Sequence, residues 1–250
     1  MAIDLKKLTR PVGERPCLFT FVAEGGLGKT TLAAMFPRPV FIRTEDGTQS
    51  IVGSDAVLFD VAQSTDDIFD QISALVEQDH NFKTLVIDSI TQLNTMIEAE
   101  IIASDPKNPK SLNQALGGYG AGHSAVAERH REIRQACGYL SQVKGMHVVF
   151  IAHADSETVD LPDSDPYSRY TIRMNKKSVG HYSDNVDCVG FIKLKRFLRG
   201  DTDNKKAISD GTRIITCYPT ANHISKNRFG ISEDLVFDLS SNPFAPYLGE

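Results

Sequence analysis

The sequence predicts an α/β fold: a mostly parallel sheet with helices on both faces, giving way to antiparallel strands toward the C-terminus. Three observations carry this expectation. Short strand-forming runs alternate with helical stretches through about residue 151. Those runs are apolar throughout instead of alternating with polar residues, as strands buried on both faces are. A Gly-rich loop joins the first strand directly to the first helix.

Each element has a local reason. Leu18-Phe19-Thr20-Phe21-Val22 is rich in strand formers and stops at the glycines, after which Thr30 to Phe36 makes a short helix ended by Pro37 and Pro39. Val40-Phe41-Ile42 and Ala56 to Val61 are the next strands. Ser64 is an N-cap followed by Asp66 and Asp67, and Ile68, Ile72, Leu75 and Val76 recur at helical spacing. Leu85-Val86-Ile87 is a buried strand, with a helix from about Thr91 to Ala103. Residues 104–123 are polar and Gly-rich, a loop long enough to be functional. A helix over Ser124 to Val143 leads into the strand His147 to Ile151. Residues 155–185 read as irregular, and Cys188 to Leu198, Thr212 to Tyr218 and Asn222 to Ser225 as antiparallel strands.

The chain has 250 residues, 41% hydrophobic and 24% charged, with a net charge of −5. That composition suits a globular protein with one core, here a lead-in (1–16), a domain (17–240) and a loose tail (241–250). No apolar run is long enough for a membrane span, and Met1 to Arg10 lacks the apolar stretch of a signal peptide. Cys17, Cys137, Cys188 and Cys217 form no CxxC pair, which argues against zinc, redox or disulfide chemistry and for the cytosol.

Ala23-Glu24-Gly25-Gly26-Leu27-Gly28-Lys29-Thr30-Thr31 lies between strand and helix, the context a phosphate-binding loop requires. Glycines let backbone N–H groups wrap the phosphates, the helix N-terminus adds positive potential, Lys29 reaches the phosphates and Thr30 can ligate Mg²⁺. The usual first Gly is Ala23 here. The partner acid of such a site stands at the tip of another buried strand, and Asp88 in Thr84-Leu85-Val86-Ile87-Asp88-Ser89 fits, although a helix-capping Asp would read the same way. Ser89 stands where AAA+ ATPases carry a water-activating Glu, so the base must come from elsewhere. Glu45, in Thr44-Glu45-Asp46-Gly47 past the second strand, is the candidate, with Asp46 the alternative. ATP is favoured over GTP because Asn175-Lys176-Lys177-Ser178 lacks the Asp of a guanine motif.

The combination GGLGKTT, T-E-D-G and LVIDSITQL resembles the RecA-like ATPases over about residues 17–230, and most of all the phage-encoded (AAA_24-type) RecA-core ATPases of single-strand-annealing recombination modules. The resemblance implies Glu45 as catalytic base. It also implies a strand 147–151 between the phosphate-loop strand and the Asp88 strand, so that His153 at its tip senses the terminal phosphate. Lys226 and Arg228 in Ile224-Ser225-Lys226-Asn227-Arg228 look like fingers that reach a neighbouring subunit's ATP, with Lys193 and Lys195 the alternative pair. If either pair acts so, the active unit is a homo-oligomer, ring or filament.

Residues 166–200 hold eight Lys and Arg against two acids, +6 locally, so the remainder carries −11. Tyr167, Tyr170 and Tyr182 are interleaved with Arg169, Arg173, Lys176, Lys177, Lys193, Lys195, Arg196 and Arg199, a pattern suited to single-stranded DNA. In RecA-like proteins the DNA channel is lined by the segments that here are 155–182 and 104–123, the latter with Lys107, Lys110 and Tyr119. The expected function is Mg²⁺-dependent, DNA-dependent ATP hydrolysis with annealing or strand exchange on single-stranded DNA in the host cytosol, helped by a single-strand DNA-binding protein. A helicase- or loader-type motor and a non-hydrolysing switch are the alternatives.

Overall fold

A computed structural model describes residues 15–163, 165–199 and 206–249, so the expected lead-in lies almost wholly outside the described residues. The first strand, β1 (Leu18–Ala23), leads through a loop into α1 (Lys29–Ala34), then β2 (Pro39–Arg43) and β3 (Val57–Val61). A capping box at Ser64 and Asp67 starts α2 (Thr65–Glu77), which buries Ile68, Ile72 and Leu75. β4 (Thr84–Asp88) runs into α3 (Ile90–Ser104), whose N-cap Ser89 accepts from the Gln92 amide. α4 (Ala121–Lys144) begins after Gly120 and ends at Gly145, both in the left-handed region. Then come β5 (His147–Val159), β6 (Tyr167–Ile172), α5 (Val179–Ser183), β7 (Cys188–Arg199), β8 (Lys206–Thr216), β9 (Lys226–Asn227) and β10 (Leu235–Phe237).

All six residues of β1 are buried, which requires neighbours on both edges and cover on both faces. Parallel β5 and β7 supply the edges. The strand order is β10-β8-β7-β1-β5-β4-β2-β3, parallel from β7 through β3, with β8 and β10 antiparallel beyond β7. One face packs Val22, Ile42, Ile87 and Phe150 against α2, α3 and α4. The other packs Phe19, Phe21, Val149 and Ile192 against Leu32, Ala33, Phe36, Phe237 and Phe244. The expected α/β class, and β5 between β1 and β4, are what the structure has.

Four expectations change. Residues 155–159 and 167–172 are not irregular: β5 runs five residues past its last buried residue, Ala154, and pairs antiparallel with β6, forming a hairpin that projects beyond the sheet. β7 is antiparallel only to β8 and β9, and is parallel to β1. Residues 222–225 hold a single bridge, His223 to Tyr170, and the strand begins at Lys226. The tail is not loose: Phe244 is fully buried, with ring centroids 5.6 Å from Phe19, 5.1 Å from Phe21 and 6.4 Å from Phe36.

Behind the sheet, His130 of α4 is fully buried, its Nδ1 3.0 Å from the Tyr182 hydroxyl and its Nε2 3.3 Å from Asn94 Oδ1. Burial lowers its pKa from 6.5 to about 3, so it stays neutral.

Two outcomes follow from this packing. Phe244→Ala should lower unfolding free energy by about 3–5 kcal/mol in urea denaturation, the cost of an unfilled aromatic cavity; a loose tail would cost almost nothing. The unfolded chain protonates His130 below pH 6.5 while the folded protein resists, so this residue's contribution is full above pH 6.5 and lost as pH falls. Between pH 7.5 and pH 5 the loss should be about 2 kcal/mol, and a His130→Asn variant should show a correspondingly shallower acid dependence in the same urea titration.

Candidate active site

The parallel register sets the site. Ala23 lies opposite His153, Asp88 opposite Ile151 and Arg43 opposite Asp88, so β1, β4 and β2 end within two residues of one another alongside β5, which continues past them. Side chains just past those ends therefore converge at the carboxyl edge of the sheet, where open α/β folds bind ligands.

The loop from Glu24 to Gly28 enters α1 through Gly28, at φ 90°. A Cβ there would meet Leu239 Cδ2 at 2.7 Å and Phe237 Cε1 at 3.2 Å, so both conformation and packing demand glycine. Glu24, Gly25 and Gly26 are exposed and Leu27 and Gly28 partly so, leaving the loop backbone open to a ligand. Lys29 is 6% exposed and its ammonium donates to the carbonyls of Ala23 (3.1 Å) and Glu24 (2.9 Å). Burial lowers its pKa to about 8, against the opposing pull of Asp88 and Glu45. Thr30 and Thr31 follow in the first turn of the helix.

Thr30 Oγ1 donates to Asp88 Oδ2 at 2.8 Å. Asp88 is 9% exposed, and burial raises its pKa to about 6 despite Thr30 and Lys29. A hydroxyl and a carboxylate, both hard oxygens, suit Mg²⁺ that takes its other ligands from phosphate and water. Among the described residues, no three His, Cys, Asp or Glu side chains form a metal cluster, which matches such a sparse site. The donors fit the ion.

Ser89 has a part that the sequence did not show. Its hydroxyl donates to Glu45 Oε1 at 3.0 Å, while its amide and carbonyl both bond the Thr44 hydroxyl at 2.9 Å. The residue standing where another family has its glutamate thus holds this chain's candidate base. Glu45 Oε1 is also 3.9 Å from His153 Nε2. Asp46, mostly exposed, pairs instead with Arg43 at 3.4 Å, outside this cluster. The His153 amide donates to the Thr91 hydroxyl at 2.9 Å, and burial, helped by Lys29, lowers the His153 pKa.

The remaining sequence-derived residues lie in two places. Lys226 donates to the Asp184 carbonyl at 2.6 Å and Arg228 to Asp187 Oδ1 at 2.9 Å, both on the same chain. Asp187, nearly buried, also accepts from Arg15 and from the Leu18 amide. Lys193 is 3.1 Å from His223, which is stacked on Phe191 at 4.5 Å. In the basic block, Arg169 pairs with Glu157 at 2.8 Å, Lys177 bonds the Ser124 hydroxyl at 2.8 Å, and Lys176 is exposed. Tyr167 and Tyr170 are half-buried on β6, whereas Tyr182 is fully buried against Phe150 and cannot stack on a base. Asn175 is structural: its side chain bonds Lys177 N and His123, joining the segment after β6 to the end of loop 104–123. Lys107, Lys110 and Tyr119 are exposed on that loop.

No curated protein matches the sequence. Among solved structures the chain is similar to the crystal structure of the RadB recombinase, at TM-score 0.51 and 16% identity over 90% of this chain and 88% of that one. The likeness is of fold, a RecA-like one. The family AAA_24, an AAA domain, matches residues 16–229. The chain belongs to that family and carries a RecA-like P-loop NTPase core.

Proposed function

We propose that this protein is a Mg²⁺-dependent ATPase that binds single-stranded DNA and promotes annealing or strand exchange in phage recombination. The observation that carries the ATPase reading is the hydrogen-bonded sequence Lys29, Thr30–Asp88 and Ser89–Glu45 at one edge of the sheet. The loop amides and Lys29 bind the phosphates. Thr30 and Asp88 would hold Mg²⁺, which neutralises charge on the phosphates when bound. Glu45, with Oε1 fixed by Ser89, has Oε2 left to orient water. The water oxygen bonds to the terminal phosphorus as the bond to the bridging oxygen breaks. ADP leaves with that electron pair, and the water proton passes to Glu45 and then to solvent. His153, neutral and beside Glu45, reports the state of the terminal phosphate to the hairpin.

The DNA reading rests on charge and on connection. Loop 104–123 and the segment after β6 are tied by Asn175–His123 and Lys177–Ser124 into one surface bearing Lys107, Lys110, Lys176 and Lys177. A groove of about 880 Å³ beside the phosphate loop is lined by Arg169 and Tyr170 from β6 and by Lys193, Lys195 and Arg196 from β7. Tyr167 at the start of β6 adds an aromatic surface. Lys226 and Arg228 act as trans fingers in a homo-oligomer once Asp184 and Asp187 release them. The protein works in the host cytosol, with a single-strand DNA-binding protein as helper.

ATP turnover measured with and without single-stranded DNA, across a salt series, tests this. Lys29→Ala should abolish nucleotide binding. Glu45→Gln should bind ATP normally but lose turnover by about 100-fold or more, with a smaller loss for Ser89→Ala. Unchanged turnover in Glu45→Gln would remove Glu45 as the base. Removing Lys107 and Lys110 together should reduce the salt slope of DNA binding by about 2; an unchanged slope would exclude loop 104–123 from the DNA surface.

A further inference from the structure

Arg173 stands apart from the rest of the basic block. It is the residue after β6, and its amide donates to the His153 carbonyl at 2.9 Å. Ala154 pairs with Ile172, so Arg173 stands directly across from the phosphate-sensing residue, and cross-strand neighbours project from the same face. Its guanidinium Nη2 donates to the Ala154 carbonyl at 3.0 Å, which fixes the cation beside the tip of β5, between the ends of β1 and β4. The other cations of the block with side-chain partners in that region meet Glu157 or Ser124, away from the phosphate loop. Arg173 is exposed and its side-chain partner is a neutral carbonyl, so its charge is uncompensated and its planar fork keeps donors for an oxyanion.

We propose that Arg173 is a phosphate-contacting residue of the ATP site acting in cis, with its guanidinium bonded to the terminal phosphate of the nucleotide held by the same chain's loop. The inference rests on the ATP-binding reading above and adds a residue to it. Its field already reaches the site, since Arg173 contributes to lowering the pKa of both Lys29 and His153. Two like charges so placed repel until an anion lies between them, and the terminal phosphate is the anion that the loop brings there. As the phosphorus–oxygen bond breaks, charge on the departing and attacking oxygens is met by a cation carried on the subunit's own hairpin. Trans fingers then add to hydrolysis without being its sole source of positive charge.

The test uses Arg173→Ala and Arg173→Lys in the full chain, with melting temperature as the check on folding. A non-hydrolysable ATP analogue should bind Arg173→Ala about 10-fold more weakly while ADP binds as to wild type. Turnover without DNA should fall about 100-fold, with partial retention in Arg173→Lys. Mixing Arg173→Ala with Lys29→Ala subunits should restore nothing, because the intact loop and the intact arginine are then on different chains. Equal analogue-to-ADP preference in Arg173→Ala and wild type would overturn the proposal. So would recovery in the mixture, which assigns the arginine to a neighbour, or a loss confined to DNA binding. If wild type binds the analogue but turns ATP over no faster than Glu45→Gln, the hydrolysis reading fails while the binding comparison still decides Arg173.

Discussion

The candidate site depends on three parallel strands, β1, β4 and β2, finishing within two residues of one another alongside β5. A parallel strand has a side-chain period of two, so slipping β4 by one residue against β5 would turn Asp88 to the opposite face. Nothing in the site itself prevents such a slip. What prevents it is the burial of both faces: Val86 and Phe41 belong to one core, Leu85, Ile87 and Ile42 to the other, and a one-residue shift would exchange them. The geometry of the candidate site is a by-product of apolar packing away from it.

Two of the charges at that edge, Asp88 and Lys29, are opposed by burial. Asp88 is pushed up to about 6 and Lys29 down to about 8, by the same cause acting on opposite signs. Each restores part of the other's charge, and the Thr30 hydroxyl helps Asp88. The arrangement is stable as a nearly neutral cluster, and it is tuned to a ligand with its own anion and its own cation. A site built from long surface salt bridges would be indifferent to such a ligand, because water would already have screened its charges.

Much of the catalytic edge was legible in the sequence because it lies in contiguous runs. GGLGKTT, LVIDS and the apolar strands carry position and chemistry within a few residues of each other. The hairpin β5–β6 was not legible, since its exposed half mixes Asp, Ser, Glu and Thr with no apolar face to impose a period. The role of Ser89 was also hidden: sequence shows that it is not Glu, while its bond to Glu45 spans 44 positions. Arg173 was read as one cation among eight because linear charge counting cannot tell which is turned toward a strand tip. Phe244 was read as part of a loose tail because two aromatics among Ser, Asn, Pro and Gly give no pattern. Its partners, Phe19, Phe21 and Phe36, lie more than 200 residues earlier.

That distance has a consequence for how the protein comes into being. The loop at residues 24–28 is made more than 200 residues before Phe237 and Leu239, yet Gly28 rests on both, and the strand beneath it rests on Phe244. A nascent chain that has emerged only as far as the Asp88 strand holds the phosphate loop, Glu45 and Asp88 but lacks His153, Arg173 and the wall that shapes the loop. Contacts of such long sequence separation form late. Nucleotide capture during synthesis would therefore mark the moment the last wall closes, and a ribosome-stalled series of lengthening chains should pass from non-binding to binding within the few residues around 237–244.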